Sequence, residues 1–302
     1  MTRHPARGCM SHGLLRAGAL LALLLSSALV LSPRRDWAQA PEPAPAPAPV
    51  PAPVPAPAER DTVDLTPYLA SREARHAKVP WKIGEYFQFS IDWSGLNGGN
   101  ALMQVQNMQT VEGHRTWRIV SKAESNSFVS KFYKVRDRAE SFVDAESLYT
   151  RRFEKHIREG SYKKDLSVRF DHANGKAIYQ DGKSYDVPSQ VHDVLSAFYY
   201  VRTRPLPDGA AIVIPTHDGE KTYDMVVNVL RRERVEVPAG KFDCILVEPV
   251  LKSEGIFKSR GQMYVWISDD ERRIPVQVKS KVPIGSISVS LTDMRLAFTG
   301  KP

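Results

Sequence analysis

Apolar and polar residues alternate along most of the chain after residue 78, and this period of two predicts β-strands. The segment 86–93 places Phe87, Phe89 and Ile91 on one face, with polar residues between them. Asn97-Gly98-Gly99 has turn chemistry, so a hairpin is predicted here. Strands with one polar face are typical of antiparallel sheets. The same alternation predicts further strands at 117–122, 135–143, 148–156, 162–170, 221–230, 242–251, 261–267, 275–280 and 286–298.

One segment departs from this period. Between Gln190 and Arg204 the apolar residues recur at helical spacing, which predicts the principal helix of the fold. Ser189 is expected to cap its start, and basic residues followed by Pro205 are expected to close its end. A second, weaker helix is predicted over Pro67–Arg75.

These elements together predict a mainly β fold. One short helix, at about 190–204, cannot cover the apolar face of a flat sheet built from so many strands. We therefore expect a curled antiparallel sheet, a barrel or half-barrel similar to those of lipoprotein carriers, with the helix against its concave side. A two-layer β-sandwich is the alternative.

The first forty residues differ from the rest and predict an export signal or a membrane anchor. Residues 17–31 are uncharged and mostly apolar, and they follow Arg3, Arg7 and Arg16, as in a secretory signal. The apolar stretch is short for a spanning helix, although residues 14–31 together come closer to the needed length. Both interpretations stay open, and both place the protein in the periplasm or outside the cell.

Residues 41–60 predict a rigid spacer, because proline and alanine alternate through most of this segment. Proline fixes φ and has no amide donor, so the segment cannot enter a helix or a sheet and is expected to form an extended polyproline II rod. Residues 61–302 are then expected to form a single β-rich domain.

Composition excludes several classes of protein. The net charge of +8 is spread among interleaved acidic and basic residues, so no basic patch for nucleic acid is predicted. Cys244 has no partner outside the leader, so no disulfide is predicted, and its apolar surroundings indicate a buried side chain. No catalytic motif or metal-ligand spacing is present, so no cofactor, metal or catalytic residue is predicted.

A set of short motifs resembles a bacterial family known as domain of unknown function 3108. The resemblance covers roughly Lys78 to Leu296 and implies an exported, β-rich domain without assigned activity or catalytic residues. The motifs are Gly84-Glu85 before an aromatic strand, Phe132-Tyr133-Lys134-Val135-Arg136-Asp137, the run from Asp193 to Arg202, Val237-Pro238-Ala239-Gly240-Lys241-Phe242, and Trp266-Ile267-Ser268-Asp269-Asp270 with Arg273-Ile274-Pro275-Val276.

The predicted helix also carries the candidate binding residues. Asp193, Tyr199, Tyr200 and Arg202 lie outside its apolar stripe, so inside a curled sheet they either form a buried polar network or line a pocket.

Three functions remain open at this point. The first is a non-enzymatic envelope protein that binds a hydrophobic or lipid-like ligand or an envelope partner. The second is a structural or assembly protein presented on the rigid spacer, with membrane association only through a retained N-terminal segment. The third is a hydrolase of envelope polymers, which would need carboxylates from different strands, such as Glu140 and Glu154, to meet in a cleft.

Overall fold

A computed structural model describes residues 79–252, 263–281 and 285–296 of the chain. The leader, the spacer and the weaker helix predicted at Pro67–Arg75 lie outside these residues. The described part forms one antiparallel sheet of fourteen strands and one α-helix, α1 (Val194–Arg202), with a short 3-10 turn at Val129–Lys131. The strands are β1 (Tyr86–Trp93), β2 (Leu96–Val111), β3 (His114–Ser125), β4 (Arg136–Asp144), β5 (Thr150–Glu159), β6 (Tyr162–Asp171), β7 (Lys176–Tyr179), β8 (Ser184–Asp186), β9 (Ala211–Asp218), β10 (Lys221–Val237), β11 (Gly240–Lys252), β12 (Met263–Ser268), β13 (Pro275–Lys281) and β14 (Ser286–Arg295).

The order of strands in the sheet is β8-β7-β6-β5-β4-β3-β2-β1-β14-β13-β12-β11-β10-β9. Consecutive strands are neighbours almost throughout, and β1 joins the two halves by pairing with both β2 and β14. Because the described strands belong to a single sheet, the curled-sheet prediction is confirmed and the two-layer sandwich is wrong.

The core lies on the concave face of this sheet. Phe87, Phe89 and Ile91 of β1 are all buried there, as their alternation predicts. Cys244 is also buried, as predicted, and burial raises the pKa of its thiol to about 12. It is therefore a small apolar side chain of the core rather than a nucleophile.

The two edges of the sheet meet through side chains rather than through a backbone ladder. The hydroxyl of Tyr179 on β7 lies 2.8 Å from Nε2 of His217 on β9, and Lys155 donates to Asp218 at 2.9 Å. The backbone of His192 also bridges to β9 at Thr216. The sheet therefore curls into a half-barrel that is not closed by strand pairing, and its free edges are partly covered.

The structure corrects two local predictions. The β1–β2 turn is made by Ser94 and Gly95, both at positive φ (48° and 87°), as a tight hairpin turn requires. Asn97-Gly98-Gly99 instead lies in β2 beside a bulge. A Cβ on Gly99 would lie 2.1 Å from the carbonyl oxygen of Glu124, so this glycine permits the close approach of β3.

The helix is shorter than predicted, and Ser189 is not its cap. α1 begins after Asp193, whose carboxylate accepts hydrogen bonds from the amides of Leu195 and Ser196. A buried carboxylate that also binds the sheet is a stronger helix start than Ser189, which lies four residues earlier. Three strands were not predicted: β7 and β8, which span only four and three residues, and β9, which spans eight.

Candidate functional site

The first turn of α1 is fixed to the sheet by Asp193. Its side chain is fully buried, and it accepts hydrogen bonds from the hydroxyls of Ser141 on β4 (2.5 Å) and Thr150 on β5 (2.7 Å). Its backbone amide donates to Thr150 Oγ1 at 2.8 Å. Burial raises the pKa of Asp193, although these hydroxyls and the helix amides act in the opposite direction. Every contact described here holds the start of the helix in place.

The last turn is fixed by Arg202. Its guanidinium is buried and forms two parallel hydrogen bonds of 2.8 Å with Glu85, the residue before β1. It also donates to the carbonyl oxygens of Arg273 (3.0 Å) and Arg272 (3.1 Å) in the β12–β13 turn. Burial alone would lower the pKa of Arg202, but the charge and the hydrogen bonds of Glu85, with a smaller contribution from Tyr199, raise it. This buried pair is charge-matched and well supplied with acceptors.

The two tyrosines pack between these ends. The ring of Tyr199 is fully buried, lying 5.2 Å from Trp81 and 4.9 Å from the guanidinium of Arg202. The ring of Tyr200 lies 4.7 Å from the buried ring of His192. Burial raises the pKa of both phenols, so both are neutral, and burial lowers the pKa of His192 to about 3.

The opposite side of α1 faces a cavity. The cavity has a volume of about 150 Å³ and lies between the helix and the concave face of the sheet. Its wall is almost entirely apolar, with contributions from β1, β2 and β10–β14. The helix contributes Val194, Leu195, Phe198 and Val201. The cavity opens to solvent, because some of the residues that line it are only half-buried. These are Met103, Tyr223, Met225, Pro249 and Met263.

One polar atom in the cavity wall lacks a partner. Ser121 on β3 is fully buried, and its hydroxyl makes no hydrogen bond to any described residue. A second polar group, the Gln277 amide, donates to Ser290 at 2.9 Å. An unpaired buried hydroxyl costs free energy, and this one lies in the wall of an open cavity.

The structure brings together one set of carboxylates considered for hydrolysis. Glu140 and Glu154 lie directly opposite each other on β4 and β5, and with His156 their ligand atoms lie within 4.8 Å of one another. However, Glu140 is bound by Arg118 (2.6 Å) and Arg138 (2.6 Å). Glu154 pairs with Arg152, and Nδ1 of His156 lies 2.7 Å from Asp165. The arrangement is an ion-pair network and does not form a cleft with a free acid and base.

None of the four predicted residues, Asp193, Tyr199, Tyr200 and Arg202, lines the cavity. Their binding role stays a prediction, and the contacts seen are those of a buried polar network. The cavity wall could not be predicted from the sequence, because its residues carry the same alternation and helical spacing as an ordinary core. Ser121 was the one available signal, as a hydroxyl on the inward face of a strand between Ile119 and Ala123.

Within the described ranges, no helix is long and apolar enough to span a membrane. Two solved structures are similar in outline. One is a β-barrel-like protein of domain of unknown function 1849 from Brucella abortus, with 9% identity, a TM-score of 0.47, and coverage of 72% of this chain and 100% of that one. The other is a candidate lipoprotein from Parabacteroides distasonis, with 13% identity, a TM-score of 0.35, and coverage of 72% of this chain and 97% of that one.

Comparison of sequences gives the family directly. Among curated proteins, none is similar in sequence to this chain. A family profile described as a protein of unknown function, DUF3108, matches residues 88–292, which include almost the whole sheet and the helix. The resemblance inferred from the short motifs is thereby confirmed, and the chain belongs to the family of domain of unknown function 3108.

Proposed function

We propose that this protein is a non-enzymatic envelope protein that holds a hydrophobic or lipid-like ligand between α1 and the half-barrel. The observation that carries the proposal is the open cavity, whose wall is apolar and whose floor is the apolar stripe of the helix. Apolar side chains facing open space lose both packing and burial, and a ligand of the same polarity restores both.

The volume of the cavity limits the size of the part of the ligand that it can enclose. An apolar cavity of this volume accepts a group about the size of a benzene ring. A short length of an acyl chain or a ring therefore fits without rearrangement, and the rest of the ligand extends towards solvent past the half-buried residues of the wall. Ser121 supplies the one hydrogen bond left to make inside, which suits an ester or hydroxyl oxygen.

The predicted cellular location supports the same proposal. The apolar segment 17–31 behind its arginines predicts export, and the spacer at 41–60 predicts a domain held apart from what precedes it. An exported domain at the envelope has lipids as its neighbours, and these supply the ligand class that the cavity fits.

The test has two parts, both on the full chain. Organic extracts of the purified protein are analysed by mass spectrometry, and binding of N-phenylnaphthylamine, an uncharged apolar fluorophore, is measured by titration. Val194→Phe fills the cavity from the helix, whereas Val213→Phe adds the same volume at an exposed position on β9. We expect Val194→Phe to weaken fluorophore binding about ten-fold or more and the control to leave it unchanged.

Two results would overturn the proposal. One is an extract without any apolar molecule from a protein that also fails to bind the fluorophore. The other is equal binding by the wild type and both variants, which would place the fluorophore outside the cavity.

A further inference from the structure

Three consecutive turns at one end of the sheet form a continuous surface, which we call the rim and define as residues 94–100, 126–136 and 160–164. The first two turns are joined by Asn126, whose amide donates to the carbonyl oxygen of Asn97 at 2.7 Å. The last two are joined by the amide of Gly160, which donates to the carbonyl oxygen of Lys134 at 2.8 Å. The rim is therefore one surface.

The rim carries an unusual share of the exposed apolar side chains. Seven large hydrophobic residues are exposed in the described part, and four of them belong to the rim: Leu96 (73%), Phe128 (67%), Phe132 (77%) and Tyr162 (41%). The rings of Phe128 and Phe132 pack edge to face, with centroids 5.7 Å apart. Single exposed apolar residues are ordinary, but a cluster of aromatic side chains marks a binding surface.

The charge of the rim has one sign. It contains Lys131, Lys134, Arg136, Lys163 and Lys164 and no aspartate or glutamate. All five are exposed, and in the described part no carboxylate lies within ion-pair distance of the four lysines.

The carboxylates nearest to the rim are already engaged. Glu159 is half-buried and accepts from the Tyr133 hydroxyl at 3.3 Å, and Asp165 binds Arg158 through both oxygens. Arg136 pairs with Glu124 at 3.6 Å, so the charge of the four lysines is what is left for an external partner.

We propose that the rim docks on an anionic lipid bilayer surface, with its aromatic side chains in the interfacial layer and its lysines on the headgroup phosphates. Aromatic rings favour the boundary between headgroups and acyl chains, and lysines add about 1 kcal/mol each at an anionic surface, which is about a five-fold change in affinity. The charge of the rim selects this partner over an acidic or apolar protein groove, because the lysines are spread along two of the three turns rather than gathered around a pocket. The proposal is independent of the ligand in the cavity.

The test measures the rim directly, because the N-terminal segment of the full chain can itself bind vesicles. Hydrogen–deuterium exchange is followed with and without vesicles of phosphatidylcholine mixed with an equal part of phosphatidylglycerol, and with vesicles of phosphatidylcholine alone. We expect slower exchange at 94–100, 126–136 and 160–164 only with the anionic vesicles, and less protection at high salt.

Two variants and a matched control complete the test. Phe128→Ser with Phe132→Ser should remove the protection and weaken vesicle binding about ten-fold or more, and Lys131→Gln with Lys134→Gln should weaken it about twenty-five-fold. The control, Ile83→Ser with Val213→Ser, removes two exposed apolar residues outside the rim and should change neither. The cavity variant Val194→Phe should also keep the protection, which separates this proposal from the proposed function.

Three outcomes would overturn the proposal. They are no protection of the rim with any vesicle, equal protection by neutral and anionic vesicles, and protection without vesicles that grows with protein concentration. The last would show that the rim pairs with a second copy of the chain.

Discussion

The two sides of α1 are built in opposite ways. On the polar side, Asp193 and Arg202 are buried. Hydroxyls of the sheet bind the carboxylate, and Glu85 and the turn between β12 and β13 bind the guanidinium. On the cavity side, Val194 and Phe198 are apolar yet only half-buried. The carboxylate and the guanidinium are thus bonded within the protein, whereas two of the four apolar helix residues that line the cavity are left partly uncovered, the reverse of what is usual for a helix in a soluble domain.

This difference assigns separate tasks to the two sides. The polar contacts fix each end of a nine-residue helix to the sheet, which such a short helix needs because its own hydrogen bonds contribute little. With the helix held at both ends, the cavity side does not have to close on the sheet to keep the fold. The following predictions test this division, from the largest effect on stability to the smallest.

Glu85→Gln tests the anchor at the end of α1 and should have the largest effect. It leaves the buried guanidinium of Arg202 without a counter-charge, and breaking such a pair costs about 3–5 kcal/mol in the free energy of unfolding, measured by urea titration. Glu236→Gln is the matched control, because its pair with Lys241 is exposed on both partners, and it should cost less than about 0.5 kcal/mol.

The double change Glu85→Met with Arg202→Met sharpens this prediction. Removing both charges avoids the unpaired guanidinium, so the double variant should be more stable than Glu85→Gln. A loss by Glu85→Gln as small as that of the exposed control would mean that Arg202 does not anchor the helix.

Asp193→Ala tests the anchor at the start of α1. It removes the helix cap and leaves the hydroxyls of Ser141 and Thr150 without their acceptor, so we expect a loss of about 2–3 kcal/mol in the free energy of unfolding. Asp193→Asn keeps an acceptor oxygen and should cost less. If fluorophore binding by Asp193→Asn fell while its stability was kept, Asp193 would instead act on the ligand.

Mild acid should weaken the polar side through His192. Burial lowers the pKa of His192 from 6.5 to about 3, so between these values the unfolded chain binds a proton that the folded protein does not. Stability is therefore lost as pH falls below 6.5, by about 1.4 kcal/mol per pH unit from this residue. His217, with its pKa lowered to about 4, adds a similar slope.

The variant His192→Asn isolates this contribution. Its free energy of unfolding, followed from pH 7 down to pH 5, should fall less steeply than that of the wild type by about 1.4 kcal/mol per pH unit. Parallel slopes would show that His192 is protonated in the folded protein.

The two sides of α1 also show how much of the fold and of the candidate site could be predicted from the sequence. The alternation of Phe87, Phe89 and Ile91 reports which face of a strand is buried, and this was enough for the curled sheet. It cannot report whether a buried face meets another side chain or an empty space, because both require apolar residues. Asp193 and Arg202 were conspicuous as polar residues on an apolar helix, but polarity alone does not show whether the partner is a ligand or Glu85, which is distant in sequence.

Ser121→Ala tests the cavity side and should have the smallest effect on stability. The hydroxyl has no partner among the described residues, so its removal should leave the free energy of unfolding unchanged or raise it by less than about 1 kcal/mol. Ser290→Ala is the control: it takes the acceptor from the buried Gln277 amide and should cost about 1 kcal/mol or more.

Ser121→Ala should affect ligand binding more than it affects stability. If Ser121 donates to an oxygen of the ligand, the variant should bind the molecule recovered from organic extracts about five-fold more weakly, the equivalent of one neutral hydrogen bond of about 1 kcal/mol. Its binding of the apolar fluorophore, which needs no hydrogen bond, should stay the same. A loss of stability equal to that of Ser290→Ala would instead show that Ser121 is bonded within the protein. In that case the two sides of the helix would differ only in polarity and not in whether their contacts are complete.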